Sequence, residues 1–219
     1  MELLPPQEEI RKFLASEINI PFEDILGIYR YGSFVYGTNN EQSDLDYILV
    51  ANIDKDIIEY KTDIMDITCY SPSKFNSLLE EHEISILECF YQDYPLLEYR
   101  TSFHLDLSKM RHSISSKSSN SWVKAKKKIT LNEENTYIGF KSLFHSFRIL
   151  KYAIDIVEKD RIDFIKYNDK TSMKDFFHEI RELYKKETSW ETLMELYKLK
   201  YNKLSSRFKE LCPKEVRKD

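Results

Sequence analysis

The sequence predicts an α+β fold in two parts. A small mixed β-sheet with helices flanking it on one side spans residues 1–108, and an all-α helical bundle follows over residues 109–219. Three observations carry that expectation. Short apolar runs bounded by polar turns recur in the first part, at Ile25–Tyr31, Asp44–Val50 and Ile64–Tyr70, which is the pattern of strands. Apolar residues at three- and four-residue steps fill the second part and are densest from Thr136 to Val157, which is the pattern of helices. Charge divides the same way: residues 1–108 carry 7 basic and 21 acidic side chains, a net of −14, while residues 109–219 carry 26 and 16, a net of +10. Halves of opposite sign point to a cation-binding part and a phosphate-binding part that make one site, or simply to mutual attraction between packed halves.

The chain opens with a packing helix over Gln7–Glu17. Pro5 and Pro6 precede it, and Glu8 and Glu9 suit the positive end of its dipole. Ile10, Phe13 and Leu14 form its apolar stripe. Pro21 ends the connection to the first strand, Ile25–Tyr31, which runs into a short helix over Ser33–Gly37. Asn39–Ser43 is a polar loop, in which Ser43 either braces the following carboxylate or caps the loop. The second strand follows from Asp44. Asn52–Lys61 reads as a connection with a turn at Asp54–Asp56, leading to the strand Ile64–Tyr70. Ser71 and Pro72 mark a helix start, a serine cap with proline at the first position. Two short helices follow, broken near Glu83. His82 lies among glutamates and reads as a surface residue. Glu88 sits among apolar neighbours and needs a local partner.

Residues 100–112 look like the boundary between the parts. Ser113–Ser121 is serine-rich and leads into Trp122–Lys128. It is either a solvated hinge before a basic helix face, or a set of hydroxyls ahead of Lys124 at a helix start, cradling a triphosphate. In the helix from Thr136, residues Ile138, Leu143, Phe144, Phe147, Leu150 and Ile154 form the apolar side. Lys141, His145, Arg148 and Tyr152 share another face. That basic row either holds phosphates or is the solvent edge of a bundle helix. Ser172–Asp175 resembles a helix start, and Thr188–Glu191 reads as a capping box. Trp190, Leu193, Leu196, Tyr197, Leu199 and Phe208 belong to the packing faces of the last helix, which Pro213 stops, leaving a frayed charged tail. There is no internal repeat.

The chemistry concentrates in the first part. Strand residues alternate sides, so Asp44 and Asp46 point the same way. Two carboxylates on one face repel each other unless a cation sits between them, and oxygen ligands of this kind suit Mg²⁺ together with substrate phosphates. Three of the four glycines, Gly27, Gly32 and Gly37, fall just ahead of them. Gly32 lets backbone come close to a ligand, and the short helix opened by Ser33 presents amides to a phosphate.

Gly32-Ser33, ten intervening residues and then Asp44-Leu45-Asp46 resembles the signature of the DNA polymerase β-like nucleotidyltransferase superfamily. That pattern is a Gly-Ser turn and helix, an Asp-x-Asp strand, and a third carboxylate on a later strand. Met65-Asp66-Ile67 supplies the third, with Asp63 as its rival on the opposite strand face. The resemblance covers roughly residues 25–70. It implies a nucleotidyltransferase domain in which Asp44, Asp46 and Asp66 hold two Mg²⁺ ions, or Mn²⁺ in their place, and Ser33 contacts the triphosphate. Gly32, Ser33, Ser43, Lys124, Lys141, His145 and Arg148 are the candidate nucleotide- and phosphate-binding residues. The expected partner is a nucleoside triphosphate, with a small molecule, a protein or an RNA end as acceptor. The other readings are an RNA 3′-end transferase and a nucleotide-binding or antitoxin-like protein of the same fold. A ribonuclease fused to it is not expected, because Arg100 and His104 are too close for the spacing such enzymes use.

No apolar run reaches membrane-crossing length. The start of the sequence lacks the basic and apolar regions of a signal peptide. Cys69, Cys89 and Cys212 are odd in number and scattered, which predicts reduced thiols in a cytoplasmic setting rather than a disulfide framework or a zinc site. No arginine-rich segment or interleaved basic-aromatic signature for RNA is present.

Overall fold

The computed structural model describes residues 7–93, 95–131, 136–162 and 173–214. The prolines before the first helix, the cap expected at Ser172 and the tail after Lys214 lie outside the described residues. The chain divides into two compact units, Met1–His104 and Leu105–Asp219.

The first unit contains α1 (Gln7–Ile18), β1 (Ile25–Tyr31), α2 (Ser33–Tyr36), β2 (Leu45–Ala51), β3 (Ile57–Lys61), β4 (Met65–Tyr70), α3 (Pro72–Glu80) and α4 (Ile84–Phe90). The strands form one mixed sheet in the order β1-β2-β4-β3. β2 pairs antiparallel with β1 and parallel with β4, and β3 is an antiparallel edge strand on β4. β3 corrects the expectation of a plain connection across Asn52–Lys61. Its residues are only half-buried or exposed in alternation, so no apolar run marks it, and backbone pairing to β4 is what makes it a strand.

Helices cover both faces of this sheet, not one. Tyr47, Leu49, Ala51, Met65, Ile67 and Cys69 point to one face and pack with Ile10, Leu14 and Ala15 of α1. On the other face Tyr29 stacks on Phe75 of α3, with ring centroids 6.0 Å apart. The stripe of α1 is narrower than predicted, since Phe13 is exposed. Ser71 caps α3 by accepting from the Lys74 amide at 3.2 Å. His82 is buried, against expectation. It sits at positive φ in the turn after α3, which aims its ring at Phe103, 5.3 Å away.

The second unit is all-α: α5 (Leu107–Leu131), α6 (Thr136–Lys159), α7 (Met173–Lys185) and α8 (Trp190–Leu211). The serine-rich stretch is neither hinge nor helix start, because it lies inside the continuous helix α5. Packing explains this. Ser118 is fully buried, donates to the Ser146 carbonyl at 2.8 Å and shares a hydrogen bond with the Tyr201 hydroxyl at 2.9 Å. One turn later Trp122 stacks on Tyr201 with centroids 4.3 Å apart. Ser118 thus lets the helices approach while its own hydroxyl stays satisfied. In α6, Arg148 and Tyr152 are buried and Ile138 is exposed, while Lys141 is exposed and His145 half-buried, so only the Lys141 end of that row faces solvent. Ser189, not Thr188, caps α8, accepting from the Thr192 amide. Leu196 and Leu199 of that helix are exposed. Among the described residues no helix is long and apolar enough to cross a membrane.

Candidate functional site

One end of the sheet gathers the residues singled out by the sequence. β2 and β4 run parallel and begin there, each with an aspartate as its second residue, and Asp46 and Asp66 are register partners. Partners in adjacent strands share a face. β1 ends there, with Tyr31 opposite Asp46, and β3 ends there, with Lys61 opposite Asp66. Asp44 immediately precedes β2. Asp63 lies in the exposed turn between β3 and β4 rather than on a strand.

Gly32 follows β1 at φ 71°, ψ −150°, a backbone region that is essentially restricted to glycine. A Cβ at this position would lie 1.8 Å from Asp46 Oδ2. The carboxylate therefore rests against bare backbone. Ser33 then opens α2, which Gly37 closes in the left-handed region by donating its amide to the Ser33 carbonyl. Tyr36, the last residue of α2, donates its hydroxyl to the buried carboxylate of Glu88 on α4 at 2.5 Å, which supplies the local partner that Glu88 needed. Ser33 Oγ is buried without a hydrogen-bond partner among the described residues. Ser43 is occupied within its own loop. Its hydroxyl accepts from the Asn40 amide at 2.9 Å and meets Asn40 Oδ1 at 3.3 Å, so of its two readings the loop cap is the observed one.

Lys61 is the site residue that sequence reasoning missed. Its ammonium donates to Asp66 Oδ2 at 2.7 Å. That bond raises the lysine pKa first, the charge of Asp66 next, and the charges of Asp44 and Asp46 add to it. One cation therefore feels all three carboxylates. Among the described residues no group of three or more His, Cys, Asp or Glu side chains is already closed around a metal position. The donor set still fits a hard divalent ion. Such ions are held by one or two carboxylates together with substrate phosphates rather than by an all-protein cage. Asp46 and Asp66 provide the pair, and the Ser33 hydroxyl, next in sequence to Gly32 and without a partner among the described residues, suits a phosphate oxygen.

A second constellation belongs to the helical unit. Lys141, His145 and Arg148 lie on α6 and Lys124 on α5. Arg148 Nε donates to His145 Nδ1 at 3.2 Å, which assigns the imidazole proton to Nε2. Burial lowers the His145 pKa well below its usual value, and the charges of Arg148, Lys141 and Lys124 lower it further. His145 is thus a neutral donor set among three cations. Arg148 also lies over the Tyr152 ring, 5.4 Å from its centroid. Since Lys124 sits well inside α5, no helix N-terminus reinforces it.

No family model matches the chain. No curated protein matches it either. Among solved structures it is similar to a nucleotidyltransferase-like protein from Exiguobacterium sibiricum 255-15, at 11% identity over 94% of this chain and 74% of that one, with a TM-score of 0.30. A superposition this loose carries no chemistry from one protein to the other.

Proposed function

We propose that this chain is a metal-dependent nucleotidyltransferase that moves a nucleoside monophosphate from a nucleoside triphosphate to an acceptor hydroxyl on a small molecule or protein. One observation carries the reading: Asp46 and Asp66 stand side by side on parallel strands, with the Gly32 backbone pressed against Asp46. Adjacent like charges repel, and a divalent ion held between the two carboxylates would relieve that repulsion.

Mg²⁺ or Mn²⁺, when bound by Asp44, Asp46 and Asp66, would supply charge neutralisation at the triphosphate and acidification of the acceptor hydroxyl. The chain's own residues do the rest. Ser33 Oγ donates to a phosphate oxygen, and the bare Gly32 backbone leaves room for the Asp46 carboxylate. Lys124, Lys141, Arg148 and neutral His145 are the further phosphate-binding candidates. The acceptor oxygen attacks the α-phosphorus, the bond to the β-phosphate oxygen breaks, and pyrophosphate leaves. Asp66 is the candidate base for the acceptor proton. Positioning and charge neutralisation supply most of the rate.

The test is pyrophosphate release from each labelled nucleoside triphosphate with Mg²⁺ or Mn²⁺ and pools of metabolite, protein and RNA acceptors. Wild-type protein should release pyrophosphate in a metal-dependent way, and Asp44→Asn with Asp46→Asn should abolish release while the folded spectrum is kept. Full turnover in that double variant would refute the reading.

A further inference from the structure

The helical unit holds a cavity of about 550 Å³ between α5 and the C-terminal end of α8. From α5 it is lined by Ser108, Arg111, His112, Ser115, Ser116 and Ser119. These positions step by three or four residues, with no gap, along one face of a single helix. From the far side come Lys209 and Lys214. Among the described residues the lining contains no acidic side chain.

We propose that this cavity binds the phosphate group of a small phosphorylated ligand. Arg111, Lys209 and Lys214 set up a positive field across it, which the charge of a phosphate offsets. Ser115 Oγ is buried with no hydrogen-bond partner among the described residues, a deficiency that a phosphate oxygen removes. Arg111 is held in place from behind: its Nη1 donates to the carbonyls of Lys209 and Cys212 at 2.7 and 2.8 Å. A guanidinium carries five N–H donors in a fixed fork, so the remaining three are pre-aimed. Arg111 also neutralises the negative end of α8, which would otherwise oppose an anion there. The volume fits a small molecule, and six lining residues between Ser108 and Ser119 offer a groove on the order of 16 Å long. None of the residues lining this pocket belongs to the aspartate cluster, and the inference does not rest on nucleotidyl transfer.

The experiment is titration of the whole chain with inorganic pyrophosphate in EDTA, followed by amide NMR shifts. EDTA removes divalent ions from the aspartate cluster, so the outcome is independent of the proposed transfer reaction. Saturable shifts should appear along Ser115–Ser119 and Lys209–Lys214. Lys209→Gln with Lys214→Gln should weaken binding roughly tenfold, and Ser115→Ala roughly threefold, with unchanged melting. Arg111 is left intact because it holds the end of α8. Lys203→Gln, elsewhere on α8, should change nothing. The proposal is overturned by absence of saturation up to about 10 mM pyrophosphate, or by equal weakening in the Lys203 control. It is also overturned if a short single-stranded RNA saturates the same amides while pyrophosphate does not.

Discussion

Gly32 and Asp46 are packed backbone against carboxylate, with the space of a Gly32 Cβ lying 1.8 Å from Asp46 Oδ2. A Gly32→Ala substitution meets two penalties. The backbone at φ 71°, ψ −150° costs an L-residue roughly 1–3 kcal/mol, and the methyl group must displace the carboxylate. Displacements near 1 Å at reacting groups cost about a hundredfold in rate. Gly32→Ala should therefore lose pyrophosphate release by about that factor while still folding, as read by paired activity and denaturation curves. Wild-type activity in Gly32→Ala would detach Asp46 from the chemistry.

The Ser33 hydroxyl is buried and makes no hydrogen bond among the described residues. Removing a buried group of that kind does not sacrifice a contact, and relieving it can stabilise by up to about 1 kcal/mol. Ser33→Ala should melt at the wild-type temperature or above. If the hydroxyl serves a phosphate, the same variant raises KM for the nucleoside triphosphate several-fold. A lower melting temperature with unchanged KM would make Ser33 structural.

Lys61 donates to Asp66 at 2.7 Å and occupies the field in which a divalent ion would bind. Its side chain is exposed, so the pair adds little to folding. Lys61→Met removes a competing positive charge. The variant should bind Mn²⁺ roughly threefold to tenfold more tightly at low ionic strength, with the gap narrowing as salt rises. Isothermal calorimetry at two salt concentrations reads this directly. Weaker Mn²⁺ binding in Lys61→Met would show that the lysine organises the carboxylates instead of competing with the ion.

The legibility of these features differed for physical reasons. β1, β2 and β4 were readable because buried apolar runs mark them, and so was the cap at Ser71, which is a local hydrogen bond. β3 was not, because an edge strand with exposed Ile57, Glu59 and Lys61 is defined by pairing to a distant strand. Losing β3 hid Lys61, since only the register with Asp66 reveals it. The serine-rich stretch misled because composition cannot show that Ser118 faces Ser146 and Tyr201 across helices. Arg148 shares a face of α6 with Lys141 and His145 by spacing alone, but its burial depends on neighbours outside that helix. The aspartate spacing was local and readable, whereas the contact between Gly32 and Asp46 required the sheet.

His145 couples the basic cluster of the helical unit to pH. Burial and the cations Arg148, Lys141 and Lys124 hold its folded pKa well below the usual value. In the unfolded chain it titrates near 6.5. Above that pH both states carry neutral imidazole, so His145 contributes no pH dependence. As pH falls below about 6.5 the unfolded state takes up a proton that the folded state refuses. Stability is therefore lost on acidification, at up to about 1.4 kcal/mol per pH unit from this group, until the folded imidazole also protonates. His145→Gln removes the titration and should flatten the stability curve between pH 6.5 and 5 relative to wild type, as measured by urea denaturation. An anion bound by the cluster would favour imidazolium, so saturating nucleoside triphosphate should shrink the wild-type acid loss and leave His145→Gln unaffected. If nucleotide leaves the wild-type curve unchanged, the Lys141, His145 and Arg148 row is a packing feature and the triphosphate is held elsewhere.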